Sequence, residues 1–238
     1  MQNGLAYDKT KMLCEKMNAN SEDISLSENL LILNEFLQLH GLDYLYIGSL
    51  SFQCYIGTIY RLPNDFDIVV MNISVEKFAT LLEDNNILYQ KKLGRIKMFL
   101  NDFSIHVLFE YLHQLNIAQT AIFHSLNFKT TFKDIAVKNV IFPCSKIVNT
   151  ILVPPFEILL FSYLLRPLNS NILQDINMFI DCDIDIDLKY FESCSLSNIE
   201  VAPIVRKTLY SYIELKSEET NVSKIEYLVK ILDNILMS

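Results

Sequence analysis

Residues 61–70 read Arg61-Leu62-Pro63-Asn64-Asp65-Phe66-Asp67-Ile68-Val69-Val70, or RLPNDFDIVV: two carboxylates at the mouth of a run of strand-forming apolar residues. Side chains alternate along a strand, so Asp65 and Asp67 project from one face about 6 to 7 Å apart, while Phe66 and Ile68 face the other way. Two like charges on one face repel, and an apolar strand gains nothing from them unless a cation lies between them or they share a proton. The spacing therefore raises the question of a metal site, against the plainer reading that the Asp65 carboxylate closes the Leu62-Pro63-Asn64 turn, and the neighbouring sequence has to answer it.

The chain around this stretch has 238 residues, 51% of them hydrophobic, which is enough for a substantial core. No apolar run is long enough to cross a membrane, and the first residues lack a basic-then-apolar leader pattern, so the expectation is a cytoplasmic protein. Five scattered cysteines (Cys14, Cys54, Cys144, Cys182, Cys194) form no CxxC pair and are read as buried thiols. A net charge of −8 disfavours a broad nucleic-acid-binding surface. The basic clusters noted are Lys129, Lys133 and Lys138, and Arg206-Lys207, each read first as a solvated face.

Working outward, SLSENLLILNEFLQLHG reads as an amphipathic helix with Ser27 as N-cap and Gly41 as terminator. DYLYIGS is a strand ending in Gly48-Ser49, and LSFQCYIGTIY a short helix. FDIVV is a second strand and SVEKFATLLEDNN a helix capped by Ser74. ILYQKKLGRIKMFL and FSIHVLFEY flank a hairpin turn at Asn101-Asp102, and AVKNVIF and KIVNTILV are short strands. After Pro154-Pro155 the apolar spacing becomes helical to the end. The expected fold class is α+β, a mixed sheet flanked by helices in residues 1–153 and an α-helical region in 154–238.

This order, with YIGS (Gly48, Ser49), Arg61 four positions ahead of the first acid, and DFDIVV (Asp65, Asp67), resembles the polymerase-beta-type nucleotidyltransferase superfamily. Within it, R-x-x-x-D-x-D and the later PPFEILL…QDI look most like the AbiEii-like toxins and the small antibiotic nucleotidyltransferases. The resemblance implies transfer of a nucleoside monophosphate from an NTP to a small-molecule, protein or RNA acceptor. Asp65 and Asp67 would hold Mg²⁺ against the phosphate oxygens. The turn at Gly48-Ser49, opening a helix, would meet the triphosphate through backbone N–H groups, and Arg61 would pair with phosphate in a forked geometry. The acidic balance places a small hydroxyl-bearing acceptor or a protein side chain ahead of an RNA end.

Relatives carry a third acid on the strand after the hairpin, where this sequence has Phe103-Ser104-Ile105-His106-Val107, with Ser104 in the acid position. A neutral hydroxyl does not replace a bridging carboxylate. Glu110 and Asp102 are the acids nearby, and His106 shares the Ser104 face, where it is a candidate ligand or general base, the alternative being a partly buried histidine with a structural hydrogen bond. The relatives' helical lysine is represented only by Arg166, and Gln174 stands before Asp175 where a basic residue is usual. The expectation is magnesium-dependent NTP binding that needs Asp67, with turnover slow or absent on generic acceptors. The alternatives are a weakened or inactive nucleotidyltransferase-fold binding protein and a non-enzymatic interaction protein. The acidic run DCDIDID (Asp181, Asp183, Asp185, Asp187, with Glu192 beyond) places acids at calcium-loop spacings, but Ile186 stands where such a loop needs glycine. It is read as an interhelical connection.

Overall fold

The computed structural model describes residues 26–57, 60–61, 63–92, 95–101, 103–109, 138–141, 150–166, 168–182, 184–197, 199–216 and 223–237. Asp102, Glu110, Lys129, Lys133, Asp183, Cys14 and Cys144 lie outside them. In chain order the elements are α1 (Leu26–Leu39), β1 (Asp43–Ile47), α2 (Gly48–Ile56), β2 (Asp65–Met71), α3 (Val75–Asp84), β3 (Tyr89–Lys92), β4 (Arg95–Leu100) and β5 (Phe103–Phe109). They continue with β6 (Lys138–Ile141), β7 (Thr150–Val153), α4 (Phe156–Leu164), α5 (Ser170–Asp181), α6 (Leu188–Ser197), α7 (Ala202–Lys216) and α8 (Ser223–Met237). The class is α+β: a mixed five-stranded sheet with flanking helices, then a helical C-terminal region. No helix among the described residues is long and apolar enough to cross a membrane.

The sheet order is β1-β2-β5-β4-β3. β1 runs antiparallel to β2, β2 parallel to β5, and β5-β4-β3 is an antiparallel meander. The β4–β5 hairpin turns at Asn101, which takes the left-handed conformation (φ 47°) that asparagine tolerates better than most residues. Ser74 accepts a hydrogen bond from the Lys77 N–H (3.3 Å) and caps α3. α1 is described from Leu26, so Ser27 lies in its first turn rather than at its N-cap. Gly41, at φ 62°, follows the helix as expected.

Strand alternation sorts the core. One sheet face sends Tyr44, Tyr46, Phe66, Ile68, Val70, Ile96, Met98, Ile105, Val107 and Phe109 into a cluster covered by α1 and α3. On the other face Leu45, Ile47, Val69, Met71 and Leu108 pack with Ile158 and Leu159 of α4 and Cys194 of α6. The C-terminal helices share a third cluster, and Phe52 of α2 enters it, its ring 5.2 Å from that of Phe156 and 4.9 Å from that of Tyr163. Cys54 and Cys194 are buried thiols, and Cys182 is partly exposed.

The acidic run makes no metal-sized cluster among the described residues. Asp187 precedes and caps α6, its carboxylate accepting from the Tyr190 N–H at 3.0 Å while its own N–H donates to the buried Glu157 at 2.7 Å. That pattern fits the expected connection between helices.

Candidate active site

The second sheet face is apolar where α4 and α6 cover it and polar where β2 and β5 begin. Parallel register sets Asp65 opposite Ser104 and Asp67 opposite His106. All four side chains therefore share one face, as alternation within each strand requires. His106 Nδ1 is 3.2 Å from Asp67 Oδ1 and 3.4 Å from Asp65 Oδ2. One ligand atom from each of Asp65, Asp67 and His106 falls within 4.8 Å of the others. The side chains are 33%, 21% and 21% exposed, open enough to meet a ligand and sheltered enough to feel each other's charge.

β1 brings the glycine-serine turn to the same place. Ile47 is opposite Asp67 in the antiparallel register, so Gly48, the first residue of α2, follows directly beside the acid. Gly48 has φ 71°, and a Cβ there would lie well inside contact distance of Asp67 Oδ2. Glycine is thus required twice over, by backbone conformation and by the approach of the carboxylate. Ser49 stands next to it in the first turn of α2, half-buried.

Arg61 takes a position the sequence did not show. Its guanidinium forks onto Asp175 of α5, Nε to Oδ1 at 3.1 Å and Nη2 to Oδ2 at 2.7 Å, leaving Nη1 outside the pair. Asp175 is fully buried and also accepts from the Tyr60 hydroxyl at 2.5 Å. Burial lowers the Arg61 pKa, but the hydrogen bond and charge of Asp175 outweigh it, and the net shift is upward. Burial, reinforced by Asp175, raises the phenols of Tyr60 and Tyr163 far above their ordinary value. The Arg61 N–H also donates to Gln53 Oε1 of α2 at 3.2 Å. The segment leading into Asp65 is therefore tied to α2 and to α5. A signal for Asp175 was present: it lies on the apolar face of α5 with Ile172, Ile176 and Phe179, where a carboxylate requires a buried partner.

Burial, then the neighbouring charge of Asp67, raises the Asp65 carboxyl above its usual range, against the pull of His106, Arg166 and Lys97. Arg166, just after α4, lies 5.3 Å over the Tyr163 ring with its Nε buried and unpartnered. It is the late basic residue of PFEILLFSYLLR, and folding brings its charge to bear on the acid pair. The donors fit a hard divalent cation: two carboxylates are the usual protein share for Mg²⁺, and an imidazole stands within reach. A glycine-serine turn on β1 beside an Asp-x-Asp strand, in this order of elements, gives the chain a nucleotidyltransferase-like fold.

No family model matches the sequence, and no curated protein matches it. Solved structures do match. An antigenic nucleotidyltransferase-like protein from Paracoccidioides brasiliensis is 12% identical with a TM-score of 0.48, over 85% of this chain and 93% of that one. The antibiotic-resistance factor ANT(2'')-Ia is 10% identical with a TM-score of 0.42, over 89% and 94%. A Thermotoga maritima CCA-adding enzyme is 16% identical with a TM-score of 0.38, and the match spans 95% of this chain but only 53% of that enzyme. At such identities no residue role, substrate or partner passes from those proteins to this chain.

Proposed function

We propose that this chain is a cytoplasmic, Mg²⁺-dependent nucleotidyltransferase that moves a nucleoside monophosphate from an NTP to an acceptor hydroxyl. The observation that supports it is the convergence of Asp65, Asp67 and His106 within 4.8 Å, with Gly48 pressed against Asp67. Asp65 and Asp67 would hold the ion, which when bound neutralises charge on the phosphate oxygens. The α2 N-terminus at Gly48-Ser49 offers backbone N–H groups and a hydroxyl to the triphosphate. Arg166 adds positive charge from the α4 side, and Arg61 positions the Asp65 segment through Asp175 while keeping Nη1 for phosphate.

Transfer then needs an acceptor oxygen in line with the departing pyrophosphate. The oxygen forms a bond to the α-phosphorus, the bond from that phosphorus to the bridging oxygen breaks, and pyrophosphate leaves with the electron pair. The hydroxyl proton passes to His106. Its Nδ1, held at 3.2 Å by the Asp67 carboxylate, carries the ring proton, which leaves Nε2 as the basic nitrogen.

A second reading, a nucleotide-binding protein with little or no turnover, is favoured by Ser104, which stands opposite Asp65 where a third carboxylate would complete a two-metal site. Calorimetric titration of each NTP with and without Mg²⁺, on wild type and Asp67→Asn, tests both. Binding indifferent to metal and to Asp67 overturns both. Pyrophosphate release by wild type and by Ser104→Asp then separates them, since turnover gained only by Ser104→Asp identifies the weakened protein.

A further inference from the structure

The β3–β4 hairpin carries cations on the face that bears the acid pair. Between Tyr89 and Leu100 the sequence has Lys91, Lys92, Arg95 and Lys97 and no acid, although the chain's net charge is −8. Register sorts them: Lys92 is opposite Arg95, Gln90 opposite Lys97, and Lys97 in turn opposite His106. Directly opposed residues share a face, so Lys92, Arg95 and Lys97 line the site face. Lys91, opposite the buried Ile96, lies on the other face and meets Glu76 of α3 at 3.4 Å. No carboxylate among the described residues forms an ion pair with Lys92, Arg95 or Lys97. The Arg95 Nε is buried without a partner. Phe99 is half-buried on the same face with the Lys97 Nζ 5.3 Å from its ring centre.

Sheet order assigns this row a side. The Gly48-Ser49 turn lies at β1, one strand from the acids, whereas β4 and β3 lie beyond β5 in the opposite direction. At strand spacing the row begins about 10 Å from β2 and ends about 14 Å away. A triphosphate seated at the turn leaves the row facing whatever comes to meet its α-phosphate. At physiological salt, exposed charges more than about 8 Å apart are largely screened, so this local row and not the net charge governs what binds there.

We propose that the acceptor is the 3′ end of a single-stranded nucleic acid, lying across the site face of β4 and β3 with its phosphates on Lys97, Arg95 and Lys92 and a base against Phe99. Unpaired cations interleaved with an aromatic ring are the parts that single-strand binding uses. A small neutral acceptor would leave the row unused, and an acidic peptide would leave Phe99 without a stacking base. The inference rests on the nucleotidyl-transfer reading and names its acceptor. The terminal 3′ oxygen forms the new bond to the α-phosphorus, pyrophosphate departs, and the proton goes to His106.

The test is fluorescence anisotropy of the full chain with a short labelled single-stranded RNA across a salt series, with heparin and polyglutamate as competitors. Lys92→Gln and Arg95→Gln should each weaken binding and each lower the log–log salt slope by about 0.7. Lys91→Gln, on the other face, should change neither. Phe99→Ala should weaken RNA about tenfold and leave heparin binding unchanged. Lys92 is exposed, so its variant stays informative if Arg95→Gln fails to fold. Absent RNA binding, equal effects of Lys91→Gln and Lys92→Gln, or competition by polyglutamate as strong as that of RNA would overturn the proposal. NTP titrations on the same variants keep the two readings apart. Asp67-dependent NTP binding without RNA binding sinks the acceptor surface alone. RNA binding with the expected variant pattern but no NTP binding sinks the transfer reading and leaves the surface standing.

Discussion

Gly48 and Asp65 show how the site constrains single residues. Gly48→Ala forces a side chain into a left-handed backbone and against Asp67 Oδ2, so it should cost about 1–3 kcal/mol in chemical denaturation and weaken magnesium-dependent NTP binding as the carboxylate is pushed aside. Unchanged stability together with unchanged binding would show that the close approach is not fixed. Asp65 gives a pH-dependent expectation. A carboxyl raised in the folded state holds its proton where the unfolded chain has already released it, so stability falls as pH rises from the ordinary value of 3.8 through the raised one. Asp65→Asn removes that penalty. In chelator-treated buffer it should gain less than about 1 kcal/mol at pH 7, small because the side chain is one-third exposed and water screens it, and the gain should vanish in acid below both values. Urea midpoints across pH measure this, and destabilisation at pH 7 would refute it. The acid pair itself was legible, since Asp-x-Asp in an apolar strand has one geometric meaning.

Among the elements, the segment into β2 and helix α5 depend on each other through Arg61 and Asp175. Arg61→Ala leaves a fully buried carboxylate without its cation and should cost about 3–5 kcal/mol. Adding Asp175→Asn should recover part of that loss, because the uncompensated charge is gone. A double-mutant cycle in urea measures the coupling, and strict additivity would mean that the pair does not act as one unit. The strands and helices were largely readable from alternation and three-to-four spacing. The ion pair was not, because its partners are 114 positions apart in sequence: Asp175 on an apolar helix face calls for a buried cation, but nothing local to it names Arg61. The β3–β4 cations do not read as a row in sequence for a related reason: RIKMFL alternates, but nothing in it says which strands lie beside β4.

For the molecule as a whole, we propose that the boundary near Val153 marks a change of architecture inside one cooperative unit. Phe52 of α2 stacks among Phe156 and Tyr163, and Ile158 and Leu159 of α4 pack on the sheet through Leu45, Val69 and Leu108. A break after residue 153 would expose both contacts. Fragments 1–153 and 154–238 should each give poorly dispersed NMR spectra. The intact chain should unfold in one transition, seen alike by far-UV circular dichroism and by tyrosine fluorescence, the chain having no tryptophan. Two separated transitions would identify independent domains.

The sequence by itself determined what period and local chemistry fix. These are the strands, the caps at Ser74 and Gly41, the common face of Asp65 and Asp67, the shared face of Ser104 and His106, and the switch to helices after Pro154-Pro155. Tertiary structure alone decided which of those faces meet. The parallel pairing of β2 with β5 spans α3, β3 and β4, and only that pairing places His106 between the two carboxylates. Only the packing of α5 engages the Arg61 fork, and only the meander order sets the cation row on the side away from Gly48. The physical reason is that pairing across long sequence separations is selected by burial of whole faces and by loop closure, which depend on every element at once and leave little trace in any single stretch.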